Sequence, residues 1–134
     1  MNKYKRFENK KALITGAGGG IGSVLVQSLR NEGAIVAVTD LDTSKINADA
    51  NFDGDLLDST FCDELPKKVS DKLNGIDILC NVAGVISRGK IHTISDEDYN
   101  QTMKVNVEAP FRLCRSCIPL MQNGSVIVNV SSCW

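Results

Sequence analysis

The chain has 134 residues, of which 43% are apolar and 23% charged, and a formal net charge of -1. That composition is ordinary for one globular domain and long enough to bury a single core. Near-neutral charge offers no basic face to nucleic acid and no general attraction to anionic membranes, so neither is an expected partner.

The first eleven residues are locally basic, with Lys3, Lys5, Arg6, Lys10 and Lys11. They lack the apolar stretch and small-residue cleavage site of a secretory signal, which predicts a cytoplasmic protein. Ala12-Leu-Ile-Thr15 reads as a buried strand, and Ile21 to Asn31 as an amphipathic helix, with Ile21, Leu25, Val26 and Leu29 at helical spacing. Ala12 to Leu29 carries no charge, but its glycines and the nearby Asp40 argue against a membrane helix. Further strands are predicted over Ala34–Thr39, Ala48–Asp53, Ile76–Cys80 and Ser125–Val130. Three of these follow an Asn and a Gly that close the preceding helix, the glycine supplying a left-handed cap. The runs are short and nearly continuous, as expected of strands covered on both faces. A second helix is expected near Thr43 and a third over Asp58–Leu73, bent or interrupted at Pro66. A long one should run from Ser95, where Ser95 and Asp98 form a capping pattern, toward Met121, with a kink at Pro110. Alternation of helix and strand predicts a parallel α/β sheet. The cysteines (62, 80, 114, 117 and 133) show no disulfide spacing and read as reduced thiols, with Cys114 and Cys117 packing on one helical face and no metal site.

Between the first strand and first helix stands Thr15-Gly-Ala-Gly-Gly-Gly-Ile-Gly22. Glycines there permit positive φ and close backbone approach, and a helix N-terminus presents unpaired N–H groups suited to a pyrophosphate. The turn is therefore read as dinucleotide-binding through Gly16, Gly18, Gly20, Ile21 and Gly22; a flexible glycine loop without a ligand is the alternative. Asp40 ends the second strand, where a carboxylate accepts hydrogen bonds from both hydroxyls of an adenosine ribose and repels a 2′-phosphate. With no Lys or Arg in the turn, NAD is expected over NADP. Asn106, in the middle of the long helix, has poor helical propensity.

The G-x-G-x-x-G spacing is not met, since Ile21 and Ser23 occupy the third glycine's place. Thr-Gly-x-x-x-Gly-x-Gly is met on Thr15, Gly16, Gly20 and Gly22, and with Asn81-Val-Ala-Gly84 and Val128-Asn-Val-Ser-Ser132 it resembles the short-chain dehydrogenase/reductase family. Val82 departs from that family's second Asn. The resemblance implies that Asp55 and Leu56 contact the adenine and that Asn81, Ala83 and Gly84 border the ribose. It also implies that Asn106 supports a proton relay, that Ser132 orients a substrate carbonyl, and that a hydride moves between nicotinamide and a carbonyl or secondary-alcohol carbon. The implied fold is a Rossmann-type doubly wound parallel sheet in the order 3-2-1-4-5. The family's Tyr-x-x-x-Lys is not met: Tyr4 is followed four residues on by Glu8, and Tyr99 by Met103. The chain is accordingly expected to be one NAD-binding domain over 1–134, truncated before that motif, with a sheet incomplete relative to the family's and no activity alone. Family members pair through helices like Ser95–Met121, which implies a homo-oligomer (dimer or tetramer) for the whole enzyme. The alternatives left open are a catalytically silent nucleotide-binding or regulatory module, and a flavodoxin-like domain.

Overall fold

A computed structural model describes residues 5–132. Five strands, β1 (Lys11–Thr15), β2 (Ile35–Asp40), β3 (Ala50–Asp53), β4 (Ile78–Asn81) and β5 (Val126–Asn129), form one parallel sheet in the order β3-β2-β1-β4-β5. Helix α1 (Gly20–Asn31) links β1 to β2, and α2 (Ser59–Leu73) links β3 to β4. Between β4 and β5 runs a continuous helical segment: α3 (Asp96–Met103), a π turn (Lys104–Glu108), α4 (Ala109–Cys117) and a 3₁₀ turn (Ile118–Leu120).

Alternate residues of the central strands feed two cores, because successive side chains of a strand point to opposite faces. Leu13, Ala37 and Leu79 pack with Leu65 and Val69 of α2 and Leu113 and Cys117 of α4. Ala12, Ile14, Val36 and Val38 pack on the other face against Val26 and Leu29 of α1. Each large side chain so buried contributes about 1.5–3 kcal/mol. In β1, β2 and β4 the interior residues are covered on both faces, as the sequence leads one to expect. β5 is not: Val126 and Val128 are exposed, while only Ile127 packs on the α2–α4 core. Apolar runs alone do not distinguish an edge strand from a central one.

The caps behave as their residues dictate. Asp58 precedes α2 and accepts from the N–H groups of Thr60 and Phe61, and Ser95 accepts from that of Asp98. Asn74 and Gly75 end α2 with φ of 61° and 128°, and Gly33 and Gly124 likewise adopt positive φ. Three local expectations change. No helix forms at Thr43; residues 41–49 are a loop whose backbone is taken up by side chains of β3 and its approach. The Asp53 carboxylate accepts from the Thr43 N–H at 2.8 Å, and Asn51 donates to the Thr43 and Ile46 carbonyls. Those bonds satisfy the segment without helical ones. Pro66 does not interrupt α2, which is continuous with Pro66 buried inside it. Pro110 stands at the start of α4, and the deviation there is the π turn just before it, where the Ala109 N–H reaches back five residues to the Lys104 carbonyl. Proline cannot donate to the fourth residue before it, and a widened turn accommodates that lack.

Candidate dinucleotide site

The carboxyl ends of β1, β2 and β4 open onto a crevice of about 830 Å³. Its floor is the glycine turn. Gly16 has φ of 61°, and a Cβ there would stand 2.7 Å from Ala83 Cα; one on Gly22 would stand 2.1 Å from the Gly16 carbonyl oxygen. Those two glycines let the turn pack on itself and on the end of β4. Gly20 differs: a Cβ there would meet nothing within 4 Å, although Gly20 lines the crevice. Packing does not explain its missing side chain, whereas close approach of a ligand to the backbone does. No side chain caps α1 and its first turn holds no acid, so its leading N–H groups face the crevice with the helix dipole behind them. A pyrophosphate fits this chemistry.

Asp40 sits at the rim as expected, and its carboxylate is already engaged. One oxygen accepts from the Gly18 N–H and the other from the Leu41 N–H, each at 2.8 Å. Asp42, which sequence reasoning passed over, lines the crevice too; its carboxylate accepts from the Ser44 N–H at 2.9 Å, and the hydroxyl and N–H of Ser44 hold it below the usual carboxylate range. An acid two residues beyond Asp40 was the available signal. Asp55 and Leu56 line the same end, and Asp55 accepts from the Leu57 N–H at 2.9 Å. No Lys, Arg or His is among the lining residues.

At the other end Ala83 and Gly84 line the wall with Val82 and Val85. This wall is held by two side chains. The buried Thr15 hydroxyl accepts from the N–H groups of Val82 and Ala83, each at 3.1 Å. Asn106, in the π turn, pairs with Val85 through both amide atoms, accepting from its N–H and donating to its carbonyl at 2.8 Å. Single-turn π segments inside helices recur at functional sites. Beneath the turn, Arg112 bonds Glu108 at 2.7 Å and Asp63 at 2.8 Å, and the Ser59 hydroxyl donates to Glu108. The Arg112 guanidinium and then the Ser59 hydroxyl keep the Glu108 carboxyl below its ordinary value. These bonds tie α2 to the helix that carries Asn106.

Other candidate residues stand elsewhere. Asn81 is buried and does not line the crevice; it donates to Asn129 Oδ1 at 2.8 Å and to Cys114 Sγ at 3.6 Å. Ser132 follows β5 and is exposed, as are Arg88, Lys90 and His92 in the loop after β4. Burial pushes the Cys62 and Cys117 thiols up to about 11 and 12, which makes them packing groups rather than nucleophiles. Cys133, Tyr4 and Trp134 lie outside the described residues.

Fold and crevice together are those of a nucleotide-binding type of α/β domain, with an open crevice at the carboxyl edge of the sheet where such folds take their ligands. The chain belongs to the short chain dehydrogenase family, whose model matches residues 10–134. It is 37% identical to an uncharacterized oxidoreductase of Thermotoga maritima over 94% of this chain and 55% of that protein. It is 36% identical to 2,3-dihydro-2,3-dihydroxybenzoate dehydrogenase of Bacillus subtilis, over 92% of this chain and 52% of that one. Among solved structures, a short chain dehydrogenase from Burkholderia cenocepacia in complex with NADP superposes with a TM-score of 0.90 at 26% identity, covering 96% of this chain and 57% of that one. A short-chain dehydrogenase/reductase from Brucella melitensis gives 0.89 at 27%, covering 98% and 60%. The chain thus spans about half the length of the curated relatives it matches.

These findings correct two expectations. The description of the sheet as incomplete gives way to a five-stranded sheet that superposes as a unit over nearly the whole chain. The description of the chain as truncated before a tyrosine and lysine, and therefore inactive, does not stand either. The family model runs through residue 134, and Tyr99 and Lys104 lie on the continuous helix after β4, with Ser59 and Asn81 also present. That lysine is the fifth residue beyond Tyr99, not the fourth. On an α-helix such a spacing directs two side chains about 140° apart. The structure does not gather these four: Tyr99 is exposed, Ser59 is bonded to Glu108, and Asn81 to Asn129.

Proposed function

We propose that this protein is a nicotinamide-dinucleotide-dependent oxidoreductase moving a hydride between the cofactor and the carbonyl or secondary-alcohol carbon of a small molecule. The observation that carries the proposal is the open space at Gly20, beside an uncapped helix N-terminus and the Asp40 carboxylate. Bound there, the cofactor would supply or accept the hydride. The N–H groups that open α1 would hold its phosphates, with Gly16, Gly18, Gly20, Ile21 and Gly22 forming the cradle. Asp40 would take the adenosine ribose, Asp55 and Leu56 the adenine, and Ala83 and Gly84 the second ribose, with Asn81 supporting that wall from behind. Ser132 would orient the substrate oxygen, and Asn106 would hold the wall against which the substrate lies. Names among the relatives, a dihydroxybenzoate-type dehydrogenase and a galactitol 2-dehydrogenase, support a hydroxylated small molecule as substrate class.

NAD is favoured over NADP in this reading. Asp40, Asp42 and Asp55 line the crevice and no cation does, so a 2′-phosphate would meet only like charge. Two matched solved structures carry NADP or NADPH, so the preference belongs to this chain's carboxylates rather than to the fold. A homo-oligomer, dimer or tetramer, belongs to this reading and is supported by the outer face of the long helix, where Met103, Val107 and Phe111 recur every four residues and are exposed beside Lys104 and Glu108. No helix among the described residues is long and apolar enough to cross a membrane, and cysteines without disulfide spacing are in keeping with the cytoplasmic location we propose. Calorimetry with NAD, NADH and NADPH tests the reading, followed by NADH oxidation against a panel of ketones. Binding of NADH with turnover is expected; absence of heat from folded protein with every dinucleotide would remove the proposal.

A further inference from the structure

We propose that Glu108 is a positioning residue for the cofactor, holding the π turn so that Asn106 meets Val85 at the crevice wall, an inference that rests on the dinucleotide reading of the crevice. Glu108 does not line the crevice, but its turn does: Val105 is among the lining residues, and Asn106 pairs with the lining Val85 through both amide atoms. Residues two apart on a helix point to nearly opposite sides. The turn is therefore gripped on both, by Val85 at Asn106 and by α2 at Glu108.

The grip at Glu108 is a chain of side-chain bonds. One Glu108 carboxylate oxygen accepts from the Ser59 hydroxyl at 3.1 Å and from Arg112 Nε at 2.7 Å. Arg112 Nη1 donates to Asp63 at 2.8 Å, and Arg115 donates to the other Asp63 oxygen at 3.1 Å. Ser59 and Asp63 belong to α2, so the turn is anchored on a second helix. Joining α2 to α4 does not require this network. Leu65 and Val69 already pack with Ala109, Leu113 and Cys117 in one buried core. Half-exposed ion pairs add little to stability, and the side chains of Arg112, Asp63 and Glu108 are 25%, 37% and 36% exposed. What the network adds is direction. A π turn is a rare departure from α geometry. Anchoring both faces fixes its rotation about the helix axis, and that rotation decides whether Asn106 reaches Val85.

The experiment compares wild type, Glu108→Ala, Glu108→Gln, Asn106→Ala and the Glu108→Ala, Asn106→Ala double variant by calorimetry with NADH and with ADP-ribose, and by melting without ligand. Glu108→Ala should weaken NADH about threefold, as loss of the Asn106 bonds does, and leave ADP-ribose unchanged. Glu108→Gln keeps an acceptor oxygen for Ser59 and Arg112 and should bind NADH as wild type does. In the Asn106→Ala background Glu108→Ala should bring no further loss, because both substitutions act on one contact. A second, additive loss in that background would overturn the proposal, as would equal weakening of NADH and ADP-ribose. A lowered Tm with wild-type affinities would overturn it too, by leaving Glu108 a merely structural tie. Failure of the wild type to bind either ligand would instead remove the dinucleotide reading, and this role with it.

Discussion

The two ends of the crevice are built by different means. At the end proposed for adenosine the backbone does most of the shaping: Gly16 and Gly22 allow the turn to fold onto itself, and Asp40 clasps the Gly18 N–H. At the end proposed for nicotinamide the wall is a loop, Val82 to Val85, that Thr15 and Asn106 hold by side-chain bonds from β1 and from the π turn. A short stretch of contiguous residues suffices for the first. The second needs three parts of the chain brought together, so it is more easily disturbed from a distance. At the sheet edge beside β4, β5 shows a similar contrast in packing, since its Val126 and Val128 are exposed where Val36 and Val38 of β2 are enclosed.

Substitutions can separate these two modes of construction. The largest effect is expected from Gly22→Ala, whose Cβ would stand 2.1 Å from the Gly16 carbonyl oxygen. It should cost about 3 kcal/mol of stability, as severe overpacking does, and abolish ADP-ribose binding. Gly20→Ala is the control at the same turn, because its Cβ enters open space. Urea unfolding should find its stability within about 0.5 kcal/mol of wild type, while calorimetry finds dinucleotide binding lost. Equal losses of stability in the two variants would show that Gly20 is there for packing.

Thr15→Val should come next. It strips the acceptor from two N–H groups and should cost about 2 kcal/mol, read from urea unfolding. The loss should weaken NADH more than ADP-ribose, since the wall it releases is the nicotinamide one. Asn106→Ala frees Val85 alone, by breaking two bonds at an exposed position. About threefold weaker NADH binding with unchanged ADP-ribose affinity is expected, a fraction of a neutral hydrogen bond's worth. Equal weakening of both ligands would mean that the two ends are not separable. The smallest effect is ionic. Because carboxylates and no cations line the crevice, raising salt from about 50 to about 500 mM should narrow the NADH-over-NADPH preference by screening. A preference independent of salt would assign the discrimination to shape instead of charge.

Much of the fold was legible because its determinants are local. Strand cores such as Leu13-Ile14 and Val36–Val38, the Asn–Gly helix ends and the Asp58 and Ser95 caps depend on neighbours in sequence, and each formed where its residues indicate. Expectations missed where a distant group decided. The segment at Thr43 stayed a loop because Asp53 and Asn51 claim its backbone. Pro66 sits buried inside a continuous helix whose Cys62, Leu65 and Val69 pack in the core on one face of the sheet. Family resemblance located Asp55, Leu56, Ala83 and Gly84 on the crevice wall, while Asn81, taken for part of the same wall, turned inward to Asn129.

The amino-acid sequence by itself determined a parallel α/β domain and the placement of a glycine turn between its first strand and first helix. Hydrophobic periodicity, glycine's freedom at positive φ and the polarity of a helix end all act within a few residues. Only the tertiary structure decided which hydroxyls are satisfied, that Asn106 holds Val85, and that Asp42 joins Asp40 at the rim. Those outcomes depend on hydrogen bonds between strands and loops that are far apart along the chain and meet only once the sheet has set their register.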